Sequence, residues 1–330
     1  LARKLGPALA AGCTAVVKPA TQTPYSGLAW GALAEDAGFP KGVVNIVTGS
    51  AAEIGDEICA NPLVRKLTFT GSTEVGKILM EKCAATVKKV SMELGGKSPQ
   101  IVFADAPDMD KVADMVAVGV ARNSGQICFA GTRLIVEASV AEELTEKVVE
   151  RLQASVSGPT WDETTQLPPI ISEKQADRIE HLIRQGTQAG ARLVTGGDRS
   201  NGNGAHYIEP TILSEIAPGN PALEEEIFGP GLAMQTFRSF DEAMAMADHP
   251  LYGLTASIYT RDIDKAIHGA RAIEAGTIWI NGYGRGSDLS SPFGGFKQSG
   301  FGKDFGIAGF EKYLRSKSIN VFLTDPRVAA

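Results

Sequence analysis

Among the residues able to do chemistry, Cys128 stands first. It follows Asn123-Ser124-Gly125, a run that closes a helix, so it falls on a loop between a helix and a strand. Loops held by a rigid sheet are where catalytic groups concentrate, and a thiol becomes a nucleophile when its pKa is lowered or a base lies beside it. By itself a cysteine is more often a small core residue. Its neighbours match neither Q-A-C nor C-G-x-C-W, the local signatures of cysteine proteases. Glu93 is the candidate base. It ends the extended run Lys89-Val90-Ser91-Met92 and is followed by Leu94-Gly95-Gly96. A carboxylate at a strand end can point into a cleft, although most glutamates are simply solvated.

Other segments could hold phosphate or sugar. Phe69-Thr70-Gly71-Ser72-Thr73-Glu74-Val75-Gly76 reads as a strand, a glycine turn and a helix start, whose backbone N–H groups near Gly71 and Ser72 can hold a phosphate. Its G-x-x-x-x-G spacing is neither G-x-G-x-x-G nor a P-loop, and a plain turn reads equally well. Lys18, at the head of Lys18-Pro19-Ala20-Thr21-Gln22-Thr23-Pro24, can bond a ribose hydroxyl or a phosphate, or can stand in solvent. Glu224-Glu225-Glu226, before Ile227-Phe228-Gly229-Pro230, reads alone as a solvated charge run. The glycines of Asn281–Gly286, Pro292–Gly295 and Ser299–Gly302 exceed what hairpin turns require, and such loops let backbone approach a ligand closely.

Alternating elements must position these groups. Strands are expected over 14–18, 43–47 and 66–70, separated by helices over 25–37, 51–60 and 72–85. After Gly95-Gly96 the alternation restarts: a strand over 100–103, a helix over 109–122 with Val112, Val116 and Val120 on one face, a strand over 134–136 and a helix over 140–154. Residues 156–169 read as a surface connection, 173–189 as a helix and 196–204 as a loop. Strands alternating with helices of ~10–15 residues imply βαβ units and parallel sheets. The fold class is α/β, with two successive units meeting near residue 95.

The bulk composition narrows the partners. The 330 residues suggest about two domains, with 43% apolar and 21% charged residues, as in an ordinary globular protein. A net charge of −6 argues against nucleic acid. No apolar run approaches the ~18 residues a membrane helix needs, and no signal peptide is evident. Cys13, Cys59, Cys83 and Cys128 form no C-x-x-C pair, which suits free thiols in a reducing, cytoplasmic setting and offers no zinc site. The chain opens on Leu1, inside what reads as a helix, and is expected to lack an upstream part.

Four motifs then occur in order: Glu93-Leu-Gly-Gly-Lys-Ser-Pro99, Gly125-Gln-Ile-Cys128 with Arg133 beyond it, Glu226-Ile-Phe-Gly-Pro230 and Pro292-Phe-Gly-Gly-x-Lys-x-Ser-Gly300. Together they resemble the aldehyde dehydrogenase superfamily, in its non-acylating branch, over essentially the whole chain. The overall flavour is nearest the succinate-semialdehyde and ω-aminoaldehyde dehydrogenases. The resemblance implies two Rossmann-like parallel-sheet domains: a partial NAD(P)-binding domain over 1–95, a catalytic domain over 96–297, and a return to the cofactor domain over 298–330. That last part includes an oligomerisation strand near Ser318–Leu323, so a homodimer or homotetramer is expected.

The resemblance further implies that Cys128 attacks an aldehyde, that hydride passes to NAD(P), and that Glu93 activates the water that hydrolyses the thioester. It assigns Lys18, Thr21, Gly49, Gly71, Ser72 and Glu226 to the cofactor, and Arg285, Asp288 and Phe293 to the substrate mouth. Arg285 would suit a substrate carboxylate and Asp288 an ammonium, or the two pair with each other. Thr21 replaces the glutamate usual in NAD-preferring members; threonine removes its repulsion of a 2′-phosphate, so NADP is expected to be accepted. The family's oxyanion asparagine lies upstream of Leu1, and losing one such donor typically costs about 10²–10³ in rate, so weak activity is expected of these residues alone. Two rivals remain at this point: a CoA-acylating dehydrogenase, which generally lacks the residue matched by Glu93, and a catalytically silent protein keeping the fold.

Overall fold

The computed structural model describes residues 1–202, 205–284 and 288–322. Helix α1 (Ala2–Ala10) leads to β1 (Ala15–Val17), α2 (Tyr25–Asp36), β2 (Val44–Ile46), α3 (Ala51–Ala60), β3 (Lys66–Thr70), α4 (Thr73–Ala84) and β4 (Lys89–Glu93). From β1 onwards, each bound lies within one residue of its expectation. Serines set two helix starts: Ser50 and Ser72 each accept a backbone N–H at 3.3 Å, from Glu53 and Val75.

The second run holds β5 (Pro99–Val102), α5 (Met109–Ala121), β6 (Arg133–Glu137), α6 (Ala141–Gln153), α7 (Glu173–Gln188), β7 (Arg192–Thr195), β8 (Arg199–Gly202), β9 (Ala205–Ile208) and β10 (Thr211–Ser214). It continues through α8 (Pro221–Glu224), β11 (Gly231–Phe237), α9 (Phe240–Ala247), β12 (Tyr252–Gly253), β13 (Thr255–Tyr259), α10 (Ile263–Ala272) and β14 (Thr277–Ile280). Two short strands, β15 (Phe296–Lys297) and β16 (Gly300–Phe301), precede α11 (Gly306–Glu311).

A seven-stranded sheet in the order β14-β13-β5-β6-β11-β10-β7 forms the centre. Its strands run parallel except β7, which is antiparallel to β10. Strand alternation sorts the core into two faces. Val102, Leu134 and Val136 join Val112, Val116 and Val120 of α5 and Leu144 and Val148 of α6. Ile101, Phe103 and Ile135 point the other way, against Phe237 and Ala243. Burial on both faces explains why β5 and β6 read as continuous apolar runs.

The strands before residue 95 form two ladders. β1 pairs in parallel with β2, while β3 pairs in parallel with β4, whose far edge takes β16 antiparallel. One expectation is corrected. The stretch 196–204 is not all loop, because β8 pairs antiparallel with β9. Its Asn-Gly-rich composition has low strand propensity, but Arg199 is anchored by Asp177 at 2.6 Å and Glu180 at 3.0 Å on α7. Residues 314–322 carry no regular structure within the chain, and Ile319, Val321 and Phe322 are exposed; the strand expected near 318–323 is one that pairs with a partner subunit, and Leu323 lies outside the described residues. Among the described residues no helix is long and apolar enough to cross a membrane, and no acidic, His or Cys group is arranged to hold a metal.

Candidate active site

The motifs far apart in the chain meet at glycines. A side chain on Gly96 would fall 2.5 Å from the Cys128 carbonyl oxygen, and one on Gly95 2.3 Å from a Glu226 carboxylate oxygen. On Gly125, whose φ is +71°, it would lie 2.1 Å from the Gly229 carbonyl oxygen. On Gly294 it would lie 2.6 Å from Glu93 Oε1. At Gly96 and Gly125 the opposing atom is backbone and leaves no room for a methyl group, at Gly294 the Gly302 carbonyl also stands at 2.5 Å, and at Gly95 a methyl group would displace the Glu226 carboxylate. The glycines therefore seat the Cys128 loop and the Glu226 turn against the end of β4, with Glu93 against the C-terminal loop.

Glu93 closes β4, opposite Gly300 of β16, and is 4% exposed. Neither carboxylate oxygen has a hydrogen-bond partner among the described residues. Burial, then the negative charge of Asp304, pushes its pKa up to about 8, against the opposing pull of Lys4, Lys312 and Lys303. Two of those cations, Lys4 and Lys312, meet on Asp304 in a cluster that sequence reading missed. Asp304 is 1% exposed and accepts from Lys4 Nζ at 2.9 and 3.0 Å and from Lys312 Nζ at 2.5 Å. Lys4 sits on α1, some 300 positions from Asp304, so no local pattern could have announced the pair. A carboxylic acid held near neutrality, unbonded and facing charges that can follow its ionisation, can act as a general base.

Cys128 lies half-buried on a turn closed by Ala130 N–H on the Ile127 carbonyl at 3.0 Å. The loop before it is strained: Asn123 and Ser124 have φ of 53° and 52°, in the left-handed region. Gln126 ties that loop down, donating to the Pro169 carbonyl at 3.3 Å and accepting from Ile171 N–H at 2.9 Å. Burial first, and then the Glu226 and Glu93 carboxylates, push the thiol up to about 11, while Arg3 and the Phe129 N–H pull it down. The thiol is thus a poor spontaneous thiolate, and it lies within the fields of two carboxylates, either of which can accept its proton when ionised.

Glu226 is the charge-run residue that turns inward. Its Oε1 accepts from Gly96 N–H at 3.1 Å, and burial raises its pKa. Lys97 beside it is 1% exposed with an unpartnered Nζ, and burial followed by Arg133 pulls it down to about 7. Arg133 is locked by three carbonyl acceptors, those of Lys97, Met246 and Ala247, at 2.7–2.8 Å. It is a structural clamp behind the motif.

The remaining candidates sit at the carboxyl ends of parallel strands. Lys18 follows β1, Gly49 lies three residues beyond β2, and Gly71 and Ser72 follow β3. Ligands of open α/β sheets bind at such ends. Lys18 Nζ donates to Thr21 Oγ1 at 2.8 Å. Because the Ser72 hydroxyl oxygen caps α4, phosphate recognition there falls to the N–H groups of the first turn.

The three residues expected at the substrate mouth differ in their placement. Phe293 is only 1% exposed and packs edge-on against Phe129, with ring centroids 5.9 Å apart, so it lines the interior and not the rim. Asp288 is exposed, but its carboxylate already accepts from Ser290 N–H and Oγ and from the Ser291 hydroxyl, which holds it well below the usual carboxylate range. Arg285 lies outside the described residues. The cation nearest in effect to the thiol is Arg3, whose guanidinium lies over the rings of Phe293 at 5.5 Å and Phe305 at 4.8 Å.

Comparison with known proteins points to one family. The model of the aldehyde dehydrogenase family matches residues 1–319. The chain is 43% identical over 319 residues to Retinal dehydrogenase 2 of Homo sapiens, covering 96% of this chain and 61% of that protein. It is 44% identical over 323 residues to Aldehyde dehydrogenase 1A1 of Bos taurus, covering 98% and 64%. Among solved structures, an NAD-dependent aldehyde dehydrogenase from Sinorhizobium meliloti superposes with a TM-score of 0.95 at 38% identity, over 98% of this chain and 64% of that one. An NADP-dependent enzyme of E. coli gives 0.91 at 43% identity, over 95% and 64%. The chain thus spans less than two thirds of the length of each.

Proposed function

Given that the chain belongs to the aldehyde dehydrogenase family, we propose that it carries the nucleophile and base of an NAD(P)-dependent oxidation of aldehydes to carboxylic acids. The observation that carries this reading is the convergence of a half-buried Cys128 thiol with Glu93, a buried carboxyl group whose oxygens have no partner among the described residues. Cys128 Sγ adds to the aldehyde carbonyl, and the thiol proton leaves to Glu226 or Glu93. The Cys128 backbone N–H, which takes no part in closing its turn, is the donor available to the oxyanion. A nicotinamide held here would supply the hydride acceptor that takes the carbon bound to Cys128 from the aldehyde to the thioester level. Glu93 then takes a proton from the water that attacks this thioester, and the acid is released as Cys128 is restored.

The residues fit a dinucleotide. The first turns of α3 and α4 offer N–H groups beside Gly49 and Gly71, and Lys18 offers an ammonium already oriented by Thr21. With no carboxylate at position 21, both NAD and NADP are accommodated. We assign Glu226 to the nicotinamide-side ribose, and Cys128 and Glu93 to catalysis.

For the substrate, Arg3 favours an aldehyde bearing a distal carboxylate, as in a semialdehyde, because its guanidinium acts on Cys128 from a platform of two aromatic rings. Asp288, with its oxygens engaged, gives an aminoaldehyde little to bind. The four free thiols suit a reducing, cytoplasmic setting, and exposed Ile319, Val321 and Phe322 suit a homo-oligomer. The decisive assay is rapid mixing with a panel of aldehydes. A burst of NAD(P)H stoichiometric with protein, lost in Cys128→Ala, is expected. No burst with any aldehyde at any pH between 6 and 10 would sink the reading. A CoA-ester product in place of free acid would make the chain an acylating enzyme.

A further inference from the structure

We propose that Cys59 and Cys83 are a redox modification site: a thiol pair that peroxide converts to a disulfide stapling α3 to α4. The inference is independent of the reaction assigned above.

Cys59 is the next-to-last residue of α3 and Cys83 the next-to-last of α4. Their sulfurs lie 3.5 Å apart, with the Cys83 thiol donating to Cys59 Sγ. The two residues are 1% and 2% exposed within a small core of Leu67, Met92 and Leu94. A disulfide needs an S–S distance of about 2.05 Å, so closing the pair takes a shift of about 1.5 Å. The helix ends are already held together. The Thr86 hydroxyl contacts the Cys59 and Cys83 carbonyls at 3.2 and 3.3 Å, and Lys88 Nζ donates to the Asn61 carbonyl just beyond α3 at 2.8 Å. The pair is thus fixed near bonding distance by interactions that do not involve the sulfurs.

Both helices begin at turns exposed for ligand binding, Gly49-Ser50 and Gly71-Ser72. A staple at their far ends fixes one turn relative to the other. The chemistry needs a small oxidant, because a core this tight excludes glutathione, and hydrogen peroxide meets that need. The thiolate of one cysteine attacks a peroxide oxygen, the O–O bond breaks, and a sulfenic acid forms as hydroxide leaves. The second thiol attacks the sulfenic sulfur, the S–O bond breaks, and a second hydroxide leaves. With the two thiol protons this gives two waters: the sulfurs lose two electrons and the peroxide gains two. Burial, then Cys59, pushes the Cys83 thiol up to about 11, so the reaction is slow at neutral pH and quickens as pH rises.

The test treats the purified chain with hydrogen peroxide, removes the excess with catalase, alkylates under denaturing conditions with N-ethylmaleimide and digests without reduction. Mass spectrometry is expected to find the Cys59 peptide joined to the Cys83 peptide, at a rate that increases between pH 7 and 9. The melting temperature of the oxidised chain should rise by a few degrees and fall back with dithiothreitol. The cross-link should be absent from Cys59→Ala and Cys83→Ala, whose other thiols serve as internal controls. Full recovery of both cysteines as maleimide adducts, while Cys13 or Cys128 is oxidised, would overturn the proposal. So would recovery of either one as a sulfinic acid or a glutathione adduct in place of the cross-link.

Discussion

Glu93 offers the sharpest test, because its burial makes one carboxyl group decide both turnover and stability. With its pKa pushed up to about 8, about a tenth of the population is ionised at pH 7 and about nine tenths at pH 9. If Glu93 is the hydrolytic base, thioester hydrolysis should rise roughly tenfold between these pH values, and Glu93→Gln should lower it by about 10²–10⁴ and flatten the profile. The same shift carries a stability term of fixed sign. A carboxyl group whose folded pKa lies above its unfolded value stabilises fully below the unfolded value, and that contribution is lost as pH rises through the folded one. The window runs from about pH 4.5 to 8. Glu93→Gln should therefore gain on the wild type as pH passes through it. Allowing for relaxation of Lys4, Lys312 and Lys303, the gain at pH 9 is on the order of 2 kcal/mol. For 330 residues that is about 3 °C in Tm. Calorimetry at pH 5 and pH 9 and stopped-flow turnover across the range provide the readouts. A Tm difference that is the same at both pH values, or hydrolysis in Glu93→Gln within threefold of wild type, would refute the reasoning.

Arg3→Gln should reduce kcat/KM for a carboxylate-bearing aldehyde by about 10–100-fold, the worth of one charge-assisted hydrogen bond, and leave an uncharged aldehyde of similar length nearly unchanged. Equal losses on both would remove Arg3 from substrate recognition. Gly125→Ala places a methyl group 2.1 Å from the Gly229 carbonyl oxygen at a φ of +71°, so about 2–4 kcal/mol of stability should be lost and iodoacetamide labelling of Cys128 should change in rate. A wild-type melting curve would contradict that packing. Thr21→Glu should shift the ratio of kcat/KM values towards NAD by at least about tenfold, because a carboxylate repels a 2′-phosphate. A wild-type chain that already excludes NADP would show that position 21 does not set the choice.

The regular elements were legible wherever periodicity and caps agreed. The helix starting beside Ser72 and the apolar stripe Val112-Val116-Val120 needed only local information. The Cys128 and Glu93 positions were legible too, as a helix stop and a strand end. What sequence could not supply was long-range charge. Lys4 and Asp304 sit at opposite ends of the chain, on a helix and in a loop with no distinguishing pattern, yet their contact sets the field at Glu93. Arg3 was hidden for the same reason. Asp288 misled in the opposite direction. Its type suited an ammonium ligand, but serines two and three residues on, at 290 and 291, engage its oxygens in a turn.

The glycine contacts explain why the motifs must occur together. Gly95 and Gly96 matter because Glu226 and the Cys128 carbonyl press on them, and Gly125 matters because Gly229 does. Each motif is thus the complementary surface of another, and none would hold its reactive group in place alone. The same closeness raises the proton affinity of every acid in the site. Burial lifts Glu93, Glu226 and Cys128 together, and their mutual repulsion lifts Cys128 further. Opposing that rise at Glu93 are Lys4, Lys312 and Lys303, the first two of which share Asp304, whose own negative charge acts the other way. A base in a tightly packed, water-poor site needs such a counter-charge to ionise near neutral pH. On the proposed reading, packing that excludes solvent confines the acyl-enzyme, and the lysines acting on Glu93 keep its base able to ionise.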